Sequence, residues 1–254
     1  MVRLQVRKAG QWTQIADTEV SGPDWVALFR VENWDSTKDH EYRIAHDDSA
    51  FYTGLIRKDP VDKEEIVAAA FTGNSNKDRG PRTDLIENVE RQDPDLLFLS
   101  GDQVYDHHDH FAAWLLFGRQ FGEITRNRPT VVIPDDHDVG VRNLWGESGE
   151  PGPGGYIDPD YVRMVERAQT SHLHDPYDPT PMKRGIGVYY TSLTWGRIGF
   201  AIIEDRKVKS QIDVLDRQAL ERQGVEFARP DHIEELPDPQ MVEVPTATLL
   251  GERQ

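Results

Sequence analysis

The chain has 254 residues, 37% hydrophobic and 9% aromatic, with a formal net charge of −16. That length holds one large domain or two smaller ones, and the apolar share describes a packed protein rather than a disordered one. The negative field repels nucleic-acid phosphate and anionic lipid and suits cations, while the absence of cysteine excludes disulfides and zinc–thiolate sites but leaves carboxylate and imidazole metal sites open.

No apolar run approaches a membrane-spanning length, and the opening residues from Met1 to Val6 are followed by no signal-peptide hydrophobic region. Residues 1 to about 60 alternate in the manner of short strands, with candidates at 25–31, 41–44 and 51–57 separated by polar turns such as Ser21-Gly22-Pro23-Asp24. These predict a small antiparallel β module, and residues 58–63 read as a linker. From residue 65 the texture changes. A buried-strand run at 66–71 precedes a helix near 83–91, a second strand at 96–99, a second helix near 111–124 and a third strand at 130–133. Strand, helix, strand, helix, strand predicts an α/β layered sheet with parallel strands buried on both faces. A Gly/Pro-rich loop spans 146–155, a further helix runs from about 159 to 170, and residues 187–193 and 197–203 read as a strand pair around Trp195-Gly196.

Ligands of open α/β sheets bind beyond the carboxyl ends of the strands, where this chain places metal-competent residues. The first strand leads into Thr72-Gly73-Asn74, the second into Gly101-Asp102-Gln103-Val104-Tyr105-Asp106, the third into Asp135-Asp136-His137-Asp138, and a late strand into Glu204-Asp205-Arg206-Lys207. Taken singly, Asn74 and Asp102 are ordinary turn residues, Tyr105 is a core aromatic and Arg206 a surface ion-pair partner. Adjacent Asp135 and Asp136 are less ordinary, since like charges held together cost energy unless a cation neutralises them. His107, His108, Asp109 and His110 open a helix, and a solvated helix start is preferred there to a second metal site.

These runs resemble motifs of the PhoD-like alkaline phosphatases within the calcineurin-like metallophosphoesterase superfamily. Residues 101–106 look like GDxxY, residues 135–138 look like DDH[ED], residues 203–207 are similar to the strand-end D-x-R region, and residues 246–254 resemble an MLG-x-x-Q segment. The resemblance implies an Ig-like β module over residues 1–60 and a metallophosphoesterase domain over 65–254. It implies hydrolysis of phosphate monoesters or diesters. Two or more metal ions are implied, Fe3+ and Ca2+ in the family pattern. Asp102 would bridge them, Tyr105 and Asp136 would be ligands, and Asn74 would be a weak neutral donor. His137 and Arg206 would act on the phosphoryl group. The family is often exported. Two departures stand out. Gly73 occupies the position where the family places a ligating Cys, and the chain stops at Gln254 before the family's late GD-x-H segment, so the resemblance implies a metal shell short of ligands and a C-terminally incomplete domain. The rival expectation is an acidic cation-binding protein that keeps the fold without turnover.

Overall fold

The computed structural model describes residues 1–47, 50–74, 80–106, 109–139, 158–181, 185–204 and 206–207. The loop at 146–155, His107, His108, Asp205 and the segment 246–254 lie outside the described residues.

The N-terminal strands are β1 (Val2–Lys8), β2 (Gln11–Thr18), β3 (His40–His46) and β4 (Ala50–Ile56), antiparallel in the order β2-β1-β3-β4. Val2, Leu4 and Val6 are buried on one face of β1, the period of two that a half-covered strand requires. Ala9 and Gly10 both adopt positive φ (48° and 82°), the backbone of a tight hairpin whose twist matches its strands. Residues 25–31, expected as a strand, are not one. Trp25 sits at φ 55°, its N–H closes a turn onto Ser21 O (3.0 Å), and only a single bridge from Ser21 to Val26 forms. Arg30 instead donates to the carbonyls of Ser171 and Leu173 (3.1 and 2.9 Å), and buried Asp24 pairs with Arg167 (2.6 Å). Tertiary contacts have claimed a segment whose composition favours a strand.

This sheet is anchored to the rest of the chain. Tyr42 Oη and the Leu55 N–H both donate to Arg126 O (3.2 Å each), and Arg57 donates to Asn127 O and pairs with Asp93 (2.9 and 2.7 Å). A side chain at Gly54 would meet Arg126 O at 2.3 Å, so close approach explains that glycine. The expected linker is tied down as well: Lys63 Nζ bonds Asp95 (2.5 Å) and Asp59 accepts from Gly196 N (2.8 Å).

The second part runs β5 (Ala68–Phe71), α1 (Thr83–Gln92), β6 (Leu96–Leu99), α2 (His110–Thr125), β7 (Thr130–Val132), α3 (Asp136–Val139), α4 (Pro159–Thr170), β8 (Tyr190–Trp195) and β9 (Ile198–Ile203). Strands β5, β6 and β7 pair in parallel in that order, and β8 and β9 form an antiparallel hairpin. Alternation in β6 splits the core in two. Leu97 and Leu99 point, with Val132, into a layer formed by Ile86 and Val89 of α1 and Phe117, Phe121 and Ile124 of α2. Leu96 packs on the opposite face with Val131, Ile133, Leu173, Tyr189 and Ile202, bringing β9 over the sheet. Side chains of this size contribute roughly 1.5–3 kcal/mol each on full burial, so the two layers fix β6 at the centre of this part. The expectation of burial on both faces fails for β5, an edge strand in which Ala68 and Ala70 are exposed. Asp109 caps α2 by accepting from Ala112 N (3.0 Å), and Asp158 with Pro159 opens α4. No helix among the described residues is long and apolar enough to cross a membrane.

β7 lies at the sheet edge, where the Val132 N–H is donated to His172 Nε2 (3.3 Å). Burial pushes the His172 imidazole down to about 4 from its ordinary 6.5. Between those values the unfolded chain takes up a proton that the native state refuses, so stability falls as pH drops from about 6.5 towards 4. Gln at this position still accepts the Val132 N–H but does not titrate. In urea titrations at pH 7 and pH 4, His172→Gln is expected to remove about 3 kcal/mol of acid-induced destabilisation relative to the wild type. Parallel pH dependence in the two proteins would contradict that assignment.

Candidate active site

The loops after β5, β6 and β7 meet at one edge of the parallel sheet. The Gly73 N–H donates to Gly101 O (3.3 Å), and Ile133 N donates to Leu99 O (3.1 Å). Gly101 (φ 105°) and Asp102 (φ 58°) turn the chain sharply off β6. A Cβ at Gly101 would stand 2.1 Å from Asp135 Cβ and 2.7 Å from Asp135 N, so only glycine lets the loops after β6 and β7 touch. Gly73 (φ 64°) is different: a Cβ there would find only Tyr105 Oη, at 3.8 Å. Gly101→Ala is therefore expected to destabilise by more than about 2 kcal/mol and to displace Asp135, whereas Gly73→Ala costs about 1 kcal/mol of backbone strain. Thermal melts of the two variants check this, and equal losses would contradict it.

Asp102, Asp135 and Asp136 each offer a carboxylate oxygen within 4.8 Å of the others. Asp102 Oδ1 accepts the His137 N–H (3.3 Å) and Oδ2 accepts from Tyr105 Oη (2.9 Å). The Tyr105 and His137 rings stack with centroids 4.4 Å apart. Burial first, then the hydrogen bond to Asp102 and the neighbouring carboxylates, hold the Tyr105 hydroxyl well above its ordinary pKa. Asp136 is 3% exposed, and its buried Oδ2 has no hydrogen-bond partner; His137 Nε2 stands 3.9 Å away. Arg206 reaches across from the end of β9, with Nε 2.8 Å from Asp135 and Nη1 3.6 Å from Asp136. Burial pushes the Asp135 carboxyl up to about 7, against the pull of the Asp136 N–H and Arg206. Asn74 follows Gly73, and its Nδ2 is buried without a hydrogen-bond partner.

A buried ionic cluster holds the strand that delivers Arg206. Lys207 Nζ contacts Glu204 (2.6 Å) and Glu166 and donates to Gly187 O (3.1 Å), while Glu204 accepts the N–H of Tyr189 (3.2 Å) and of Lys207 (3.3 Å). Residues 204 and 207 are thus pinned on either side of Arg206. A second buried network lies behind the carboxylates. Asp138 accepts four donors, and Gln169 of α4 links it to Gln103 and His110. Burial pushes Asp138 up to about 7, with N–H donors pulling the other way, and holds His110 down to about 4. His110 is therefore a packed neutral ring against Trp114 rather than a solvated helix start.

The structure brings Asp102, Tyr105, Asp136, His137 and Arg206 into one cluster beyond the ends of the strands, and Asn74 follows Gly73, the neighbour of Tyr105 Oη. The sequence marks Asp135 with Asp136 as a pair that a cation would neutralise but gives Asp135 no ligand role of its own, and it gives no sign that Asp138, in the same four-residue run, is an organiser. Three clustered carboxylates and an orphaned buried carboxylate oxygen fit a hard, oxygen-seeking cation.

The structure is similar to that of PhoD, with 16% sequence identity and a TM-score of 0.52 over 82% of this chain and 46% of PhoD. It also matches the purple acid phosphatase PPD1 from yellow lupin (Lupinus luteus) seeds, at 15% identity and a TM-score of 0.47 over 80% of this chain and 39% of that one. The chain spans about half the length of PhoD, at 46%. No protein-family model and no curated protein matches the sequence. The likeness to PhoD gives the chain that fold, a mixed α/β architecture.

Proposed function

We propose that this chain carries the metal-binding cleft of a PhoD-like phosphoester hydrolase, with residues 1–60 as its β module and 65–254 as its metallophosphoesterase domain. The observation that carries this reading is the convergence of three carboxylates with an unpartnered buried oxygen on His137, Tyr105 and Arg206. Asp102, Asp135 and Asp136 would hold the cations, with Tyr105 as a further oxygen ligand and Asn74 as a neutral donor. Hard oxygen donors suit Ca2+ or Fe3+. When bound, such ions neutralise phosphoryl charge and lower the pKa of a water.

The remaining work falls to the protein. His137, stacked on Tyr105, would stabilise or protonate the leaving oxygen. Arg206 balances Asp135 and Asp136 and offers a planar fork of donors to phosphoryl oxygens. Tyr105 braces Asp102 through its O–H. The net charge of −16 favours small phosphoesters over nucleic-acid polymers.

Gly73, which has no side chain to ligate where the family pattern has Cys, favours a second reading in which the cleft binds a cation without turnover. Hydrolysis of p-nitrophenyl phosphate and bis(p-nitrophenyl) phosphate, assayed with added Ca2+ and Fe3+ at neutral and alkaline pH, separates the two. Cation-dependent release of nitrophenol is expected, and the preferred ester reports monoester or diester specificity. Cation binding without release in either assay would replace the hydrolase with the binding protein.

A further inference from the structure

One carboxylate gathers both ligand-bearing loops. Asp138 is fully buried at 0% exposure. Its Oδ2 accepts the N–H of Asp102 (2.7 Å) and of Asp135 (2.9 Å), and its Oδ1 accepts the N–H of Val104 (2.8 Å) and Gln169 Nε2 (2.9 Å). Two of those donors are the backbone amides of residues whose own carboxylates form the cluster. A third belongs to the residue before Tyr105, whose hydroxyl braces Asp102. Asp102 is held at φ 58°, a left-handed conformation that a non-glycine residue keeps only when its surroundings enforce it. The anchor is itself anchored, since Gln169 contacts Gln103 (3.5 Å) and His110 (3.4 Å), and Gln103 donates to Ile133 O (3.1 Å).

We propose that Asp138 is the positioning residue of this cleft: by locking the loops after β6 and β7 together it sets the spacing of the three carboxylates and hence cation affinity. This rests on the metal-binding reading above. Burial disfavours the ionised form of Asp138, but the four N–H donors favour it, and in that form its two oxygens offer acceptor sites enough for all four. An Asn of the same shape offers one acceptor oxygen, and its amide N–H2 must face donors on the other side. Asp138→Asn therefore loosens at least one loop without changing side-chain volume, while Gln169→Leu removes only one of the four donors.

The test has two readouts on the full chain. In Mn2+ titrations, Asp138→Asn is expected to raise the dissociation constant about 10- to 100-fold, the range for removing groups that orient metal ligands. Gln169→Leu should shift it less, in the same direction. Amide hydrogen exchange should accelerate at Asp102, Val104 and Asp135 in Asp138→Asn while Leu97 and Phe121 in the core keep their protection. Wild-type Mn2+ affinity in folded Asp138→Asn, or exchange that rises equally through the molecule, overturns the proposal. Should Asp138→Asn not fold, an unchanged Mn2+ affinity in Gln169→Leu overturns it. If the wild-type chain binds no Mn2+, the metal reading fails on its own. The exchange pattern then decides the positioning role: acceleration confined to the three amides supports it, and unchanged protection there overturns it.

Discussion

Asp102→Asn is expected to weaken cation binding by at least about 100-fold, more than the loss typical of groups that merely orient ligands. Asn is the informative replacement because it tolerates the left-handed backbone that Asp102 adopts at φ 58°. It also keeps an acceptor for the His137 N–H or the Tyr105 hydroxyl, so the variant isolates the loss of charge from the loss of shape. Asp102→Ala removes the ligand and adds backbone strain, and should be worse on both counts. Asp106→Ala is the control. Asp106 lies four residues along the same loop and accepts from Asp109 N (3.3 Å), and it is not among the three clustered carboxylates. Calorimetric titration with Ca2+ and Mn2+ reads all three variants. Equal stoichiometry and affinity in Asp102→Asn and the wild type would remove Asp102 from the site.

His137→Ala is expected to lower kcat by about 10²–10⁴ with little change in KM, the range for a group that transfers or stabilises a proton in the transition state. The structure makes this substitution clean. The His137 group that braces Asp102 is its backbone N–H, which Ala retains, and the imidazole is 28% exposed, so little core is lost. Melting temperature should hold within a few degrees. What disappears is the ring stacked on Tyr105 and facing Asp136. Steady-state kinetics on an aryl phosphate with saturating cation gives the split. An unchanged kcat with a raised KM would make His137 a substrate-binding residue instead.

How much of this was legible in the sequence varies with the range of the forces involved. Helix α4 announces itself through Asp158-Pro159 and an apolar stripe, and it spans Pro159–Thr170 as expected. Strand β6 is a bare apolar run between polar segments, reads as a buried strand, and is one. Residues 25–31 carry the same apolar and aromatic signal and form no strand, because Arg30 and Asp24 are claimed by residues 167 to 173. No local pattern shows such a contact. Within the cleft, the clustering of chemical residue types at strand ends was visible. Which oxygens converge was not, since neighbouring Asp135 and Asp136 differ in role only through the turn that seats both beside Asp102. Asp138 and Gln169 were invisible for the same reason. Their worth lies in hydrogen bonds to Asp102, Val104 and Asp135, which the tertiary fold alone brings within reach.

A cation held jointly by Asp102, Asp135 and Asp136 beside His137 would have a direct signature. Anomalous diffraction from crystals of the chain soaked in Mn2+ tests for it most directly, because it locates the ion without depending on turnover. The expected result is an anomalous peak bounded by those three carboxylates and lost in crystals of Asp102→Asn. Manganese bound elsewhere on this acidic chain, with nothing between the three carboxylates, would remove them as a cation site.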